Sequence, residues 1–176
     1  MNTQTQPSAA TRSGALHSIA FLEQGLTLLR QINDEQYGTK LPPVFSNGVG
    51  AHMRHILDHY ECLLAGFESG RVDYDCRKRS ELVEQDRSVA IEAINDIMSR
   101  LSSMSDHSGD TPLLVNMDSN DDSGEWSESS LSREFQFLSS HTIHHYAIIA
   151  AILNQAGCTL SPGFGISPST LRHHQT

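Results

Sequence analysis

Apolar positions recur along most of this chain at helical spacing. Leu16, Ile19, Ala20, Leu22, Leu26, Leu29 and Ile32 predict a first helix that stops near Asn33, ahead of Tyr37-Gly38 and Leu41-Pro42-Pro43. Val49, Met53, Ile56, Leu57, Tyr60, Leu63, Leu64 and Phe67 predict a second helix from Gly48 to about Phe67. A third is expected from Ser80 through Leu82, Val83, Ala90, Ile91, Ile94, Ile97, Met98 and Leu101. The pattern then dissolves between Ser102 and Ser129, where Gly109, Pro112, Gly124 and the acidic run Asp118 to Asp122 mark turns. Within it, Leu113-Leu114-Val115 and the stretch around Trp126 are candidates to pair as a short hairpin. A fourth helix is expected from Ser129 or Ser130 as N-cap to Gln155, closed by Gly157.

Four such helices, with no repeat and no convincing sheet, predict an all-α antiparallel four-helix bundle with a long connection between helices three and four. The polar residues 1–13 read as a disordered lead-in, residues 14–176 as one domain, and the tail from about 157 as irregular.

Charge and cysteine content narrow the function classes. The formal net charge is −9, which argues against the phosphate backbone of nucleic acid and against a polybasic membrane contact. Arg77-Lys78-Arg79 is too short a basic run to reverse that, and no apolar run reaches the ~18 residues of a membrane span. Cys62, Cys76 and Cys158 are odd in number and widely spaced, so no disulfide framework is expected. With no apolar leader at the N-terminus, the expectation is a cytoplasmic protein.

The chemistry is concentrated in histidines. His52, His55 and His59 lie in the second helix, and His141, His144 and His145 in the fourth. Spacings of three and four stack side chains on one helical face. At about 100° per residue, His141 and His145 fall within about 40° of one another, inside the apolar arc of their helix, while His144 lies on its polar edge. His52, His55 and His59 share an arc of about 60° on the flank of their apolar stripe. Helical phase does not select His55, and it puts His52 and His59 nearer the stripe. Burying several imidazoles requires a partner for each polar nitrogen, and a divalent metal would meet that need. An all-imidazole donor set suits Zn²⁺ or Ni²⁺ and leaves positions open for water or substrate. Asp58 and Glu134 are candidates to accept an imidazole N–H.

His55-Ile56-Leu57-Asp58 early in the second helix and the HxxxH of His141 and His145 in the last one resemble the DinB-like bundles, over about residues 14 to 156. That family includes thiol-dependent S-transferases and mycothiol-dependent maleylpyruvate isomerases. The resemblance implies the metal ligands His55, His141 and His145, and it alone promotes His55 over its neighbours. It also implies a metal-dependent transferase or hydrolase acting on a small molecule, with a low-molecular-weight thiol as a candidate cosubstrate. His52 and His59 are then the candidate general bases or substrate-positioning groups. The alternative is a non-catalytic metal-binding or stress-response module, and a homodimer is expected under either. Many members carry Arg-Gly-Gln after the second HxxxH histidine, where this chain has Tyr146-Ala147-Ile148. The tail from Phe164 to Thr170 is a candidate lid over the site.

Overall fold

The computed structural model describes residues 9–104, 107, 109–117 and 126–173. Its elements in chain order are α1 (Ala9–Gln31), α2 (Asp34–Tyr37), α3 (Val49–Gly66), β1 (Arg71–Asp73), α4 (Glu81–Gln85), α5 (Arg87–Met104), β2 (Pro112–Asn116), β3 (Ser127–Ser130), α6 (Leu131–Gln155) and α7 (Pro168–His173). The long helices α1, α3, α5 and α6 form the bundle. Helices α1 and α3 each pack against both α5 and α6, so the four close into a ring around one apolar core.

Local chemistry accounts for most boundaries. Ser130 caps α6 by accepting from the Arg133 N–H, and Ser80 caps α4 by accepting from Val83. The capping box of Asn33 and Gln36 starts α2. The expected third helix is two helices. Its break lies at Asp86, whose extended backbone leaves its carboxylate to accept the N–H groups of Ser88 and Val89 at the start of α5. The first helix begins earlier than expected, so the assigned lead-in is helical from Ala9. Its early turns are drawn against α6, where Gly14 lies on the Phe135 ring with no room for a Cβ. Residues 1–8, and the acidic turn Asp118 to Asp122 with Gly124, lie outside the described residues.

The hairpin is present and belongs to a larger sheet. Strands β2 and β3 pair antiparallel, with Leu113 opposite Ser129 and Val115 opposite Ser127. Strand β1 adds to the other edge of β2 in parallel, with Val72 opposite Val115. The sequence pattern did not reveal β1, because three residues are too few to show alternation. The sheet lies against the end of α3, where Gly66 has the Arg71 and Val72 backbone within a side chain's reach. Its placement carries the wholly buried Tyr74 onto the histidine-bearing face of α3.

The residue after HxxxH serves the packing. Tyr146 is fully buried, and its hydroxyl donates to the Phe21 carbonyl of α1 at 2.9 Å. Gly25 admits the phenol, since a Cβ there would collide with Tyr146 Oη. Beyond α6 the tail folds back along α1 and α6. Phe164 stacks on Tyr146 at 4.8 Å, and Ser161 hydrogen-bonds Gln31. A cavity of about 370 Å³ separates the tail from Ala20, Gln24 and Leu28 of α1. The tail therefore covers this cavity, which shares no lining residue with the histidine cavity described below.

A Gly25→Ala substitution is expected to destabilise the protein by about 1–3 kcal/mol despite the better helix propensity of Ala, because the buried phenol cannot swing aside. Urea unfolding of Gly25→Ala, Tyr146→Phe and the double variant checks this. Removing the hydroxyl should recover part of the Gly25→Ala loss, and full additivity would contradict the collision.

Candidate metal centre

The seam between α3 and α6 brings the two histidine groups together. His55 Nε2 lies 3.1 Å from His141 Nε2, and His145 Nε2 lies 3.2 Å from His141 Nε2. The ligand-capable nitrogens of His55, His141 and His145 all fall within 4.8 Å of one another. Nitrogens about 2.0–2.1 Å from one ion stand about 3.3 Å apart in a tetrahedron and about 2.9 Å apart at neighbouring octahedral positions. The two separations from His141 Nε2 lie between these values, so they suit neighbouring ligands of a single small divalent cation.

As a set of hydrogen bonds alone, the triad is poorly satisfied. A neutral imidazole has one N–H and one lone pair. His141 Nε2 faces two other ring nitrogens and can serve only one well. His141 Nδ1 is buried with no hydrogen-bond partner among the described residues, a deficit that ligation through Nε2 does not remove. A cation that accepts three lone pairs relieves the crowding of the Nε2 atoms. The donor set thus fits a metal on chemistry as well as on distance.

Electrostatics keep the lone pairs available. Burial lowers the His55 pKa to about 4, helped by the charges of His59, Arg77 and Arg54. His145 is lowered to about 3 by burial and then by His55 and His52, and His141 further, to about 2, by burial and then by His59. All three are neutral at pH 7, the form a metal requires.

The remaining histidines have distinct surroundings. His52 is half-buried and its Nδ1 lies 3.0 Å from His145 Nδ1. His59 is buried, and its Nδ1 donates to the His55 carbonyl at 2.7 Å. The His59 ring packs 4.1 Å from that of His141 and is stacked by Tyr74 at 5.5 Å. His144 is exposed, as its helical phase predicts.

Neither carboxylate expected to support an imidazole is bonded to one. Asp58 pairs with Arg54 at 3.0 Å, and Arg54 also binds Glu84 at 2.9 Å. Glu134 accepts from Tyr74 Oη at 2.9 Å and from the Ser129 hydroxyl. Burial and the Glu134 carboxylate hold the Tyr74 phenol protonated, well above the usual range. Glu134 therefore reaches the site only through Tyr74, which fixes the wall behind His59. Tyr74 and Phe137, whose rings lie 5.2 Å apart, complete that wall. Neither was legible beforehand: Tyr74 follows a strand too short to read, and Phe137 lies on α6 among many apolar residues. On the other side a cavity of about 170 Å³ opens beside the triad, lined by Asn47, Ala51, His52, Arg54, His55 and His145.

The family model of the DinB superfamily matches residues 23–149, well over half of the chain. A curated relative, FK506-binding protein 5 of Rhizopus delemar, is 39% identical over 104 residues, which are 58% of this chain and 27% of that protein. The chain thus spans about a quarter of the length of the curated relative it matches. No solved structure matches.

A pH dependence follows from the depressed imidazoles. As pH falls below the unfolded-state value near 6.5, the unfolded chain takes up protons that the folded triad refuses, so folding stability is lost downwards through the window from about 6.5 towards the lowered values. The metal-free protein should show a lower urea midpoint at pH 5 than at pH 7, and little change between pH 7 and 8. His141→Ala should flatten the acid limb; an equally steep limb in that variant would contradict the assignment.

Proposed function

The chain belongs to the DinB superfamily, and from that premise we propose that it is a metal-dependent enzyme whose single divalent ion, Zn²⁺ or Ni²⁺, is held by the Nε2 atoms of His55, His141 and His145. The observation that carries this reading is the convergence of those three nitrogens at 3.1 and 3.2 Å on a seam that keeps them neutral. Three imidazoles leave positions on a four- to six-coordinate ion for a small ligand.

A metal bound there supplies Lewis acidity, lowering the pKa of a water or of a thiol cosubstrate. The protein's own groups do the rest. Tyr74 and Phe137 close the side of the site behind His59 against water. Asn47 and Arg54 line the open cavity, and Arg54 is held still by Asp58 and Glu84. His52, which lines that cavity, and the buried His59 beside His141 are the candidates to position a substrate or to move its proton. The reaction is transfer of a low-molecular-weight thiol to an electrophile, or hydrolysis. In the transfer, sulfur bonds to the electrophilic carbon, the leaving group departs with its electron pair, and the thiol proton passes to an imidazole or to water. The three cysteines, all free thiols, suit a reducing cytoplasm.

A second reading, metal binding without turnover, is favoured by the size of the cavity. At about 170 Å³ it is smaller than the roughly 300 Å³ at which pockets for drug-sized ligands begin. Elemental analysis of protein purified without chelator is expected to give one equivalent of metal, lost in His141→Ala. Metal-loaded protein is then assayed with low-molecular-weight thiols against electrophilic and epoxide substrates. Turnover that disappears in His141→Ala supports the enzyme. Stoichiometric metal with no turnover supports the binding module, and absence of metal refutes both.

A further inference from the structure

His52 and His59 look equivalent on a helical wheel, but their hydrogen bonds assign them opposite tautomers once His145 is a ligand. A neutral imidazole that gives its Nε2 lone pair to a metal must carry its proton on Nδ1. His145 Nδ1 lies 3.0 Å from His52 Nδ1, so the His145 Nδ1–H has His52 Nδ1 as its acceptor. His52 then keeps its own proton on Nε2. His59 is the reverse case: its Nδ1–H donates to the His55 carbonyl at 2.7 Å, which leaves Nε2 with the lone pair.

We propose that His52 is a positioning residue for the metal centre, accepting the Nδ1–H of His145 so that His145 Nε2 is held towards the ion, and that it consequently offers substrate a hydrogen-bond donor rather than a base. The proposal rests on the three-histidine reading of the site. It divides the roles of the two candidates: His52 presents a donor at the cavity, whereas His59, buried behind it, is the one whose Nε2 keeps a lone pair. It also gives the cavity a chemical character. His52 lines it together with the Arg54 guanidinium and the Asn47 amide. The side chains on that wall thus include three hydrogen-bond donors, which matches a substrate presenting a carbonyl or carboxylate oxygen beside the metal. Carboxylates that elsewhere support a metal-bound imidazole are not available here, since Asp58 and Glu134 are committed to Arg54 and to Tyr74 and Ser129.

The test compares the Zn²⁺ affinity of the wild type, His52→Ala, His52→Asn and His141→Ala, by competition with a chromophoric chelator. An Asn amide oxygen stands where His52 Nδ1 stands and can accept the same hydrogen. His52→Ala is expected to weaken Zn²⁺ binding by about 10–100-fold, with His52→Asn recovering most of the loss. Nitrogen-15 NMR of the Zn²⁺-loaded wild type is expected to show His145 protonated at Nδ1 and His52 at Nε2. Wild-type affinity in His52→Ala, alongside loss in His141→Ala, overturns the proposal and leaves the metal site standing. Equal weakening in the Ala and Asn variants also overturns it, because ring packing and not the hydrogen bond would then be responsible. Failure of the wild type to bind Zn²⁺ overturns the site and this proposal together.

Discussion

The organising constraint of this structure is the burial of a group of neutral imidazoles in the seam between α3 and α6. Buried polar nitrogens are costly without partners, and protonated ones more so. Here each ring except His141 has one nitrogen committed or partly solvated, and three Nε2 lone pairs are left facing one another. The bundle holds that arrangement by packing on both sides of it. Tyr60 meets Thr142 across the same seam at 3.2 Å, and Tyr146 ties α6 to α1 through the Phe21 carbonyl. Because the core fixes the helices, the imidazoles cannot move apart to relieve their crowding. The protein is in effect preorganised for an ion that accepts all three lone pairs.

The elements outside the bundle serve that seam unequally. The small sheet delivers Tyr74 to the back of His59, and Glu134 and Ser129 hold Tyr74 in place, so one side of the site is an aromatic wall. The other side is a small cavity with an arginine already neutralised by two carboxylates. Apolar shielding on one side and fixed donors on the other suit a small polar ligand that approaches from a single direction. The tail, for its part, packs beside α1 and covers the larger cavity.

Family membership and local geometry support each other at different depths. The superfamily match covers the stretch that contains all six clustered histidines. The positions at which this chain departs from the family's familiar pattern have structural explanations. Tyr146, in place of the arginine, is a packing residue that needs Gly25 opposite it. The additional His52 and His59 bracket the triad, each with its Nδ1 engaged.

The amino-acid sequence by itself determined most of the helical segments, a helix start at Ser80, an N-cap at Ser129 or Ser130, and the inward phase of His141 and His145, because each depends on spacing along one helix. It also suggested the hairpin, since the apolar run around Leu113 sits between turn residues. It did not show the break at Asp86, where a capping carboxylate interrupts an otherwise continuous apolar pattern, nor the strand at Arg71–Asp73. Choosing among His52, His55 and His59 was likewise beyond it, because all three share one flank of α3. Only the tertiary structure decided which of them brings its Nε2 to that of His141, by setting where α3 crosses α6. The three-histidine cluster lies on the α3–α6 seam, so the histidine that joins it from α3 is the one whose Nε2 meets His141, not the one nearest the middle of the apolar stripe. Contacts between distant segments fix such choices, and no periodicity within one segment encodes them.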